Sequence, residues 1–407
     1  MTKSAVRTIL IGFACFISAI AQAQYQGSES ERLGRPTFGG PDAVENVLAD
    51  QYKSWDKWQR GLKDDHGIAL SFDYTAVFLS ANDVSANNTA AGGIARLYGA
   101  FNFAGDGSSA LVFKAEHRHE FGSPSPFEFS LGELGYVGLQ EAPFNDAGSG
   151  VTNLYWRQRF GNGRSTIIAG ILDPTDYVDA FALASPWLHF MNFAFSTGSA
   201  AIGLPNDAAV GVAYATMLNK NMYIIAGITD INGDPSKPFD GFDNFFSNNK
   251  YFTSFELGWT SSRDRIMLDN FHLTAWHRDR QSSTGTSDGY GLAFSYSKYV
   301  NDNLMPFVRG GYAKDGGSLL QKSLSLGVGY QTDAFSGLVG AALNWGEPND
   351  DTFAPGLEDQ YAIEVFYRVP ILKRFAITGD VQYIKDPALN PSENTIWMFN
   401  LRGRGAF

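Results

Sequence analysis

The sequence predicts an all-β transmembrane barrel of about sixteen antiparallel strands, preceded by a short helical segment. Three observations carry this. The chain opens with an export signal and has no cysteine after it. Apolar and polar residues alternate over runs too long for an ordinary sheet protein. The connections between those runs are short and long in turn.

The export signal comes first. Lys3 and Arg7 precede an apolar stretch, residues 8–20, and Ala21-Gln22-Ala23 supplies the small-x-small pattern of a cleavage site. Residues 1–23 read as a signal peptide and the mature chain as beginning at Gln24. The apolar stretch is too short to cross a bilayer as a helix. It is also too short before Cys15 to make that residue a lipid-anchored start. Cys15 is the sole cysteine, so disulfides and thiolate metal sites are excluded from the mature protein. Losing Lys3 and Arg7 takes the net charge from −11 to −13, which argues against a nucleic-acid partner.

The mature chain has no further apolar run of eighteen residues and no break in composition. Its 44 glycines, 32 phenylalanines and 14% aromatic content fit a large β protein, either a sandwich or solenoid or an outer-membrane barrel. Alternation decides between them. Near the chain end Trp397, Phe399, Leu401 and Phe407 share one face, and Met398, Asn400, Arg402 and Arg404 share the other. Tyr251, Phe255, Leu257 and Trp259 stand likewise against Ser254 and Glu256, and Leu324, Leu326, Val328 and Tyr330 against Ser323, Ser325 and Gln331. Sandwich strands usually have about five or six residues. Runs of ten to thirteen suit tilted strands that cross a membrane.

Strands are expected over 67–81, 92–103, 109–119, 152–160, 165–172, 208–217, 222–231, 250–260, 267–279, 287–299, 304–314, 321–331, 335–346, 359–369, 375–385 and 394–407, so that the barrel occupies 67–407. Short connections lie near 104–108, 161–164, 218–221, 261–266, 301–303, 332–334 and 370–374, and loops of up to about thirty-five residues alternate with them, the longest being 173–207. Short periplasmic turns opposite long external loops are the outer-membrane pattern. Segment 129–140 alternates weakly, but its glycines and Glu133 favour a loop, and a strand there would break the parity. On these boundaries the long loops hold 20 acidic residues and two basic ones, Lys237 and Arg280, whereas the short turns hold six basic and four acidic. An acidic outer rim suits solubility or cation-bridged lipopolysaccharide equally well.

Ahead of the barrel, 24–66 reads as a periplasmic segment with an amphipathic helix over 41–64. Asp42 and Glu45 form a capping-box pattern, and Val44, Val47, Leu48, Tyr52, Trp55, Trp58 and Leu62 recur at helical steps. The stripe is expected to pack on the lower rim of the barrel.

Several motifs resemble the carbohydrate-selective porins of the OprB family. They are Val112-Phe-Lys-Ala-Glu-His-Arg-His-Glu-Phe-Gly122, then Gly170-Ile-Leu-Asp-Pro-Thr-Asp-Tyr-Val-Asp-Ala-Phe181 continuing through Phe190-Met-Asn-Phe-Ala-Phe195 to Pro205. Glu364-Val-Phe-Tyr-Arg368, Gly379-Asp-Val-Gln-Tyr383 and the terminal Arg-Gly-Arg-Gly-Ala-Phe follow in family order. The resemblance implies a sixteen-stranded barrel, a constricting, inward-folded third loop and diffusion of small, glucose-like sugars. It also implies that the assembly machinery docks on the last strand, which ends at Phe407. Gly403 and Gly405 stand where the family often has bulkier residues.

If apolar side chains face lipid, the inward set includes Asp73, Arg96, Tyr98, Lys114, Glu116, Arg118, Tyr155, Arg157, Arg159, Arg402 and Arg404. The last strand and the first four are neighbours in a closed barrel, so these arginines form one wall. The third loop offers Asp173, Asp176 and Asp179, with no Lys or Arg between Arg164 and Lys220. Folded inward, it sets carboxylates opposite guanidinium groups, donors and acceptors suited to sugar hydroxyls. Phe181, Trp187 and Phe190 offer flat apolar faces to sugar rings. The plainer reading is that some arginines only neutralise inward carboxylates such as Glu116.

Other chemistry is thinly supported. Asp230-Ile-Asn-Gly-Asp234 starts like a calcium loop but lacks its glycine and closing glutamate, and His117 with His119 has no third ligand in view, so no metal or cofactor is expected. No nucleophile elbow, phosphate loop or dinucleotide fingerprint occurs, so no catalytic residue is assigned. The expected partners are small sugars, outer-membrane lipid and lipopolysaccharide, and the assembly machinery; the oligomeric state stays open. A general or anion-leaning channel shares every feature except the sugar preference. A gated transporter is disfavoured because no plug domain precedes the barrel.

Overall fold

The computed structural model describes residues 49–407, apart from 83, 85, 104–106, 302, 335–336 and 373. The signal sequence, the expected cleavage site, Asp42, Val44, Glu45, Val47 and Leu48 lie outside the described residues. A helix, α1 (Ala49–His66), leads into sixteen strands. These are β1 (Ile68–Ala81), β2 (Thr89–Asn102), β3 (Ser109–Gly122), β4 (Gly148–Phe160), β5 (Ser165–Leu172), β6 (Ala209–Met217), β7 (Met222–Asp230) and β8 (Tyr251–Thr260), followed by β9 (Asn270–Arg278), β10 (Gly289–Ser297), β11 (Leu304–Asp315), β12 (Leu320–Gln331), β13 (Leu338–Pro348), β14 (Gln360–Leu372), β15 (Phe375–Lys385) and β16 (Thr395–Ala406). Each strand pairs antiparallel with its neighbours in sequence, and β16 closes on β1 with Asp73 opposite Ala406 and Ala81 opposite Met398. Closure leaves no sheet edge, which a barrel in lipid requires.

Strand period fixes the two faces. Phe78, Leu97, Leu111, Trp156, Phe255, Leu257, Trp259, Ile363, Trp397, Phe399 and Leu401 are exposed on the outer wall. The residues between them, such as Thr75, Arg96, Val112, Arg157, Glu256, Glu364 and Arg402, are buried inside. Shifting any strand by one residue would exchange these sets, so the outward apolar row locks the register.

Two connections depart from the expected rhythm. Residues 261–269 form a nine-residue turn because Arg265 bonds the Asp269 carboxylate at 2.6 Å and the Asn270 amide donates to the Ile266 carbonyl at 2.5 Å, which delays β9 to Asn270. On the opposite rim only 316–319 separate β11 from β12, with Gly316 and Gly317 at φ +69° and +72°. Segment 129–140 is not a strand; it includes a turn of π-helix, Phe129–Leu134.

α1 ends two residues beyond its expected limit. Gly67, at φ +68°, donates to the Lys63 carbonyl at 3.0 Å, and a β-carbon there would lie 2.8 Å from the Asn102 carbonyl oxygen. This is a left-handed helix stop that favours glycine. Gln59 donates to the Leu70 carbonyl at 2.8 Å, which ties α1 to the foot of β1. Trp55 and Trp58 do not bury against the rim as expected; both are exposed, with ring centroids 4.9 Å apart.

Candidate functional site

The third loop, 173–208, leaves β5 and folds into the lumen instead of rising from the rim. Its apolar residues give the reason. Tyr177, Val178 and Ile202 pack on inward residues of β3–β6 and β8–β11, including Val112, Tyr155, Ile168, Phe252 and Trp276. Phe181, Leu183, Phe190 and Phe195 pack on Met305, Phe307, Leu338 and Phe366. The second loop, 123–147, also turns inward, and Phe129, Leu134, Tyr136 and Phe144 join Trp187 and Met191 against Val77, Leu79 and Ile94. Burying these side chains stabilises the inward position by about 1.5–3 kcal/mol for each large one.

Polar contacts then fix where the loops lie. On the expected wall, Arg96 forks onto Asp73 with bonds of 2.9 and 2.5 Å, while Tyr98 and Arg404 donate to the same carboxylate at 2.8 and 2.7 Å. The Arg96 guanidinium also lies 3.8 Å from the Trp187 ring centroid. On the neighbouring strand, Lys114 bonds Asp173 at 3.1 Å and stands 3.7 Å from Glu116. Arg118 bonds Glu116 at 2.7 Å and also Asp207. Asp176 accepts from the Asn153 amide at 3.0 Å. Arg157 is buried on the inward face, and Arg159, one step lower, is half-buried.

Asp179 is the exception to the expected arrangement. It reaches the other wall, where it bonds Arg309 of β11 and His272 of β9, the latter at 2.7 Å, and accepts from the Gly198 amide at 2.5 Å. Its own amide donates to Glu256 at 3.1 Å, and Tyr223 and Thr274 donate to the same carboxylate at 2.9 and 3.0 Å. Burial would raise the Asp179 carboxyl, but the Arg309 charge and the His272 bond hold it below its ordinary value. The three loop aspartates therefore do not form one acidic face opposite one basic wall. They pin the loop to both sides of the lumen.

The far end of the loop is held by β14 and β16. Glu364 accepts from the Met191 and Asn192 amides at 2.6 and 3.0 Å. Arg402 donates to the Pro186 and His189 carbonyls at 2.6 and 2.7 Å and to Glu141 of the second loop at 3.0 Å. Tyr136 and Asn192 join the two loops directly, with the Asn192 amide donating to the phenol oxygen at 2.9 Å.

The aromatic residues differ from expectation for the same reason. Phe181 is covered by the Arg309 guanidinium at 3.8 Å and packs on Phe307, and Phe190 lies among Phe195, Phe307 and Phe366 at 5.0–5.8 Å. Both rings serve as the loop's core and present no face to a solute. Trp187 borders a cavity on the short-turn side of the loop, together with Arg368, Arg374, Thr378, Arg402 and Arg404. Sequence reasoning missed His272, Arg309, Glu364, Arg368 and Arg374, although the same alternation places the first four inward. Among the described residues no three His, Cys, Asp or Glu gather as a metal site.

Comparison with known proteins agrees with the barrel fold. Residues 301–407 match the sequence model of the carbohydrate-selective porin, OprB family. The high-pH structure of Pseudomonas putida OprB superposes with a TM-score of 0.67 at 13% identity, covering 87% of this chain and 97% of that one. The low-pH structure of the same protein gives a TM-score of 0.52 at 10% identity over the same shares. No curated protein sequence matches the chain. The protein is thus a closed sixteen-stranded barrel of porin fold, and its last quarter carries the sequence pattern of the carbohydrate-selective OprB porins.

Proposed function

We propose that the protein is an outer-membrane porin through which small sugars diffuse passively, and that it reaches the membrane after cleavage of residues 1–23. The observation that carries this reading is the pairing of an apolar outer wall with a charged lumen, narrowed by a loop bonded to both sides. An acyl-facing wall of phenylalanine, leucine and tryptophan suits lipid, while inward guanidinium and carboxylate groups suit hydrated solutes. The match of residues 301–407 to the carbohydrate-selective family supports sugars as those solutes.

In this reading Arg118, Arg159 and Arg404, which keep part of their surface open, line the path, whereas Arg96, Lys114, Glu116, Arg157 and Arg402 are buried and act with Asp173, Asp176 and Asp179 in setting its width. Most of these charges already hold partners. A passing sugar therefore exchanges individual hydrogen bonds with water and with the wall, and nets about 0.5–1.5 kcal/mol for each neutral one. Two or three such bonds give weak binding that permits release.

Liposomes containing the purified protein should swell in isosmotic glucose and xylose faster than in a disaccharide. Equal swelling rates for saccharides of all sizes, with ionic conductance intact, would replace the sugar-selective reading with that of a general channel.

A further inference from the structure

The fourth loop, 231–250, folds over the outside of the wall. Ile171 on β5 and Val210 on β6 face outward, in register with Leu154 and two positions from the exposed Val212. Both are nevertheless buried, because Phe245 of the loop packs on them. The end of β5 gives the reason. The strand stops at Leu172, where the chain turns inward as the third loop, so residues 148–153 of β4 have no strand on that side. The fourth loop takes the vacant place. The Val151 amide donates to the Pro235 carbonyl at 2.8 Å, and a β-carbon at Gly150 would lie 2.5 Å from the Pro235 side chain.

A groove of about 500 Å³ opens between this loop and the outer face of β1–β4. Its floor is Phe72, Ala95, Leu97 and Ala115, and Pro235 and Pro238 form its side. Phe72 and Leu97 belong to the exposed apolar wall, and the two alanines beside them make that wall concave. One step toward the external loops the lining becomes polar: Ala95, His117 and Ser149 stand in register, and the histidine and serine share a hydrogen bond at 2.9 Å. The His117 ring lies 5.4 Å from that of His119, which bonds the Tyr74 hydroxyl at 3.0 Å, so both histidines stand on the outside of the barrel. Lys237 is exposed between Ser236 and Pro238, two residues that line the groove. Further along the loop Phe239 and Phe246 are 65% and 72% exposed.

We propose that the groove seats an acyl chain of one lipopolysaccharide molecule, with the phosphorylated head group beside His117 and Lys237. The proposal rests on the outer-membrane placement and is independent of the solute that passes through the lumen. Its ground is continuity. The floor of the groove is the same apolar wall that faces acyl chains on either side, and alanine, leucine and proline offer water no partners there. The polar step lies toward the external loops, which is where the phosphates of an outer-leaflet lipid stand. An ammonium group and an imidazole supply donors to those phosphates. Phe239 and Phe246 then enter the leaflet beside the bound chain, which accounts for large apolar side chains on the free side of a loop that already spends Phe245 on the wall.

The test uses the full-length protein purified in mild detergent and incubated with rough-type lipopolysaccharide, its dephosphorylated form or phosphatidylethanolamine. Native mass spectrometry then counts the lipid retained. Each barrel should keep one lipopolysaccharide molecule through detergent exchange, and Lys237→Gln should weaken that retention by about fivefold. Ala115→Trp, which fills the groove from the lipid side, should abolish it, with heat-modifiable electrophoretic mobility reporting that the barrel has folded. Ala95→Leu serves if the larger residue prevents folding. Retention that survives in the filled groove would overturn the site, and equal retention of phosphatidylethanolamine or of the dephosphorylated form would overturn lipopolysaccharide as its occupant. Paired barrels without lipid, separated by Ala115→Trp, would assign the groove to a second copy of this chain instead. Barrels that hold no lipid but conduct ions would overturn this site and leave the channel reading standing, whereas lipid-bearing barrels that conduct nothing would overturn the porin reading alone.

Discussion

Asp179→Asn is the sharpest test of how the lumen is narrowed. The wild-type carboxylate bonds Arg309, His272 and the Gly198 amide, all buried between the loop and the β9–β11 wall. The amide keeps the size of the side chain but leaves the Arg309 guanidinium desolvated opposite a neutral group. Removing one partner of a buried pair costs about 3–5 kcal/mol. At roughly 1.4 kcal/mol per factor of ten, local opening of the loop becomes more frequent by about two to three and a half powers of ten. The barrel itself should survive, since its strand pairing does not involve residue 179. Residues 186–192 should stay in place, because Glu364 and Arg402 hold them independently. The release is therefore confined to 176–184 and 196–202. Hydrogen exchange should accelerate at the Gly198 and Ala201 amides by at least about a hundredfold, and single-channel conductance should rise. Adding Arg309→Met removes the stranded charge and should restore much of the protection. Unchanged exchange at Gly198 in a folded Asp179→Asn barrel would refute the clamp.

Two further outcomes test the orientation and the wall. A cysteine placed within 244–248 or 350–356 should react with an impermeant reagent on intact cells, whereas one at Asn162 or Asn219 should react only after the outer membrane is opened; the reverse pattern would invert every strand. Arg118→Ala leaves Glu116 and Asp207 facing the lumen without that guanidinium, so the reversal potential in a salt gradient should shift toward cation preference, and an unchanged potential would place Arg118 off the conducting path.

Strand number, facing and closure were legible because each depends on local sequence. A half-buried strand repeats every two residues, so Trp397, Phe399 and Leu401 report their own orientation without knowledge of any partner. Ends were less legible where a side chain intervenes, as at Asp269, whose bonds to Arg265, Ser261 and the Tyr299 amide hold a turn that pattern alone reads as strand. The contacts that place the third loop carry no such local mark. Asp179 and Arg309 are 130 positions apart, and Met191 and Glu364 are 173 apart.

One signal for those contacts is nevertheless present in the sequence. A lumen filled only with water would select polar residues at every inward position, yet Val77, Leu79, Met305, Phe307 and Phe366 fall on the inward face, and all are buried. Each departure from alternation marks a patch where something apolar must cover the wall. Val77 and Leu79 receive Phe129, Tyr136 and Trp187, while Met305, Phe307 and Phe366 receive Phe181, Phe190 and Phe195. The apolar clusters of the second and third loops are the complement of these patches, because a loop that stayed in solvent would have no use for so many aromatic residues. Pairing the two sets predicts that both loops fold inward and which strands they meet. It also explains why Phe181 and Phe190 are buried: their rings are already committed to the wall.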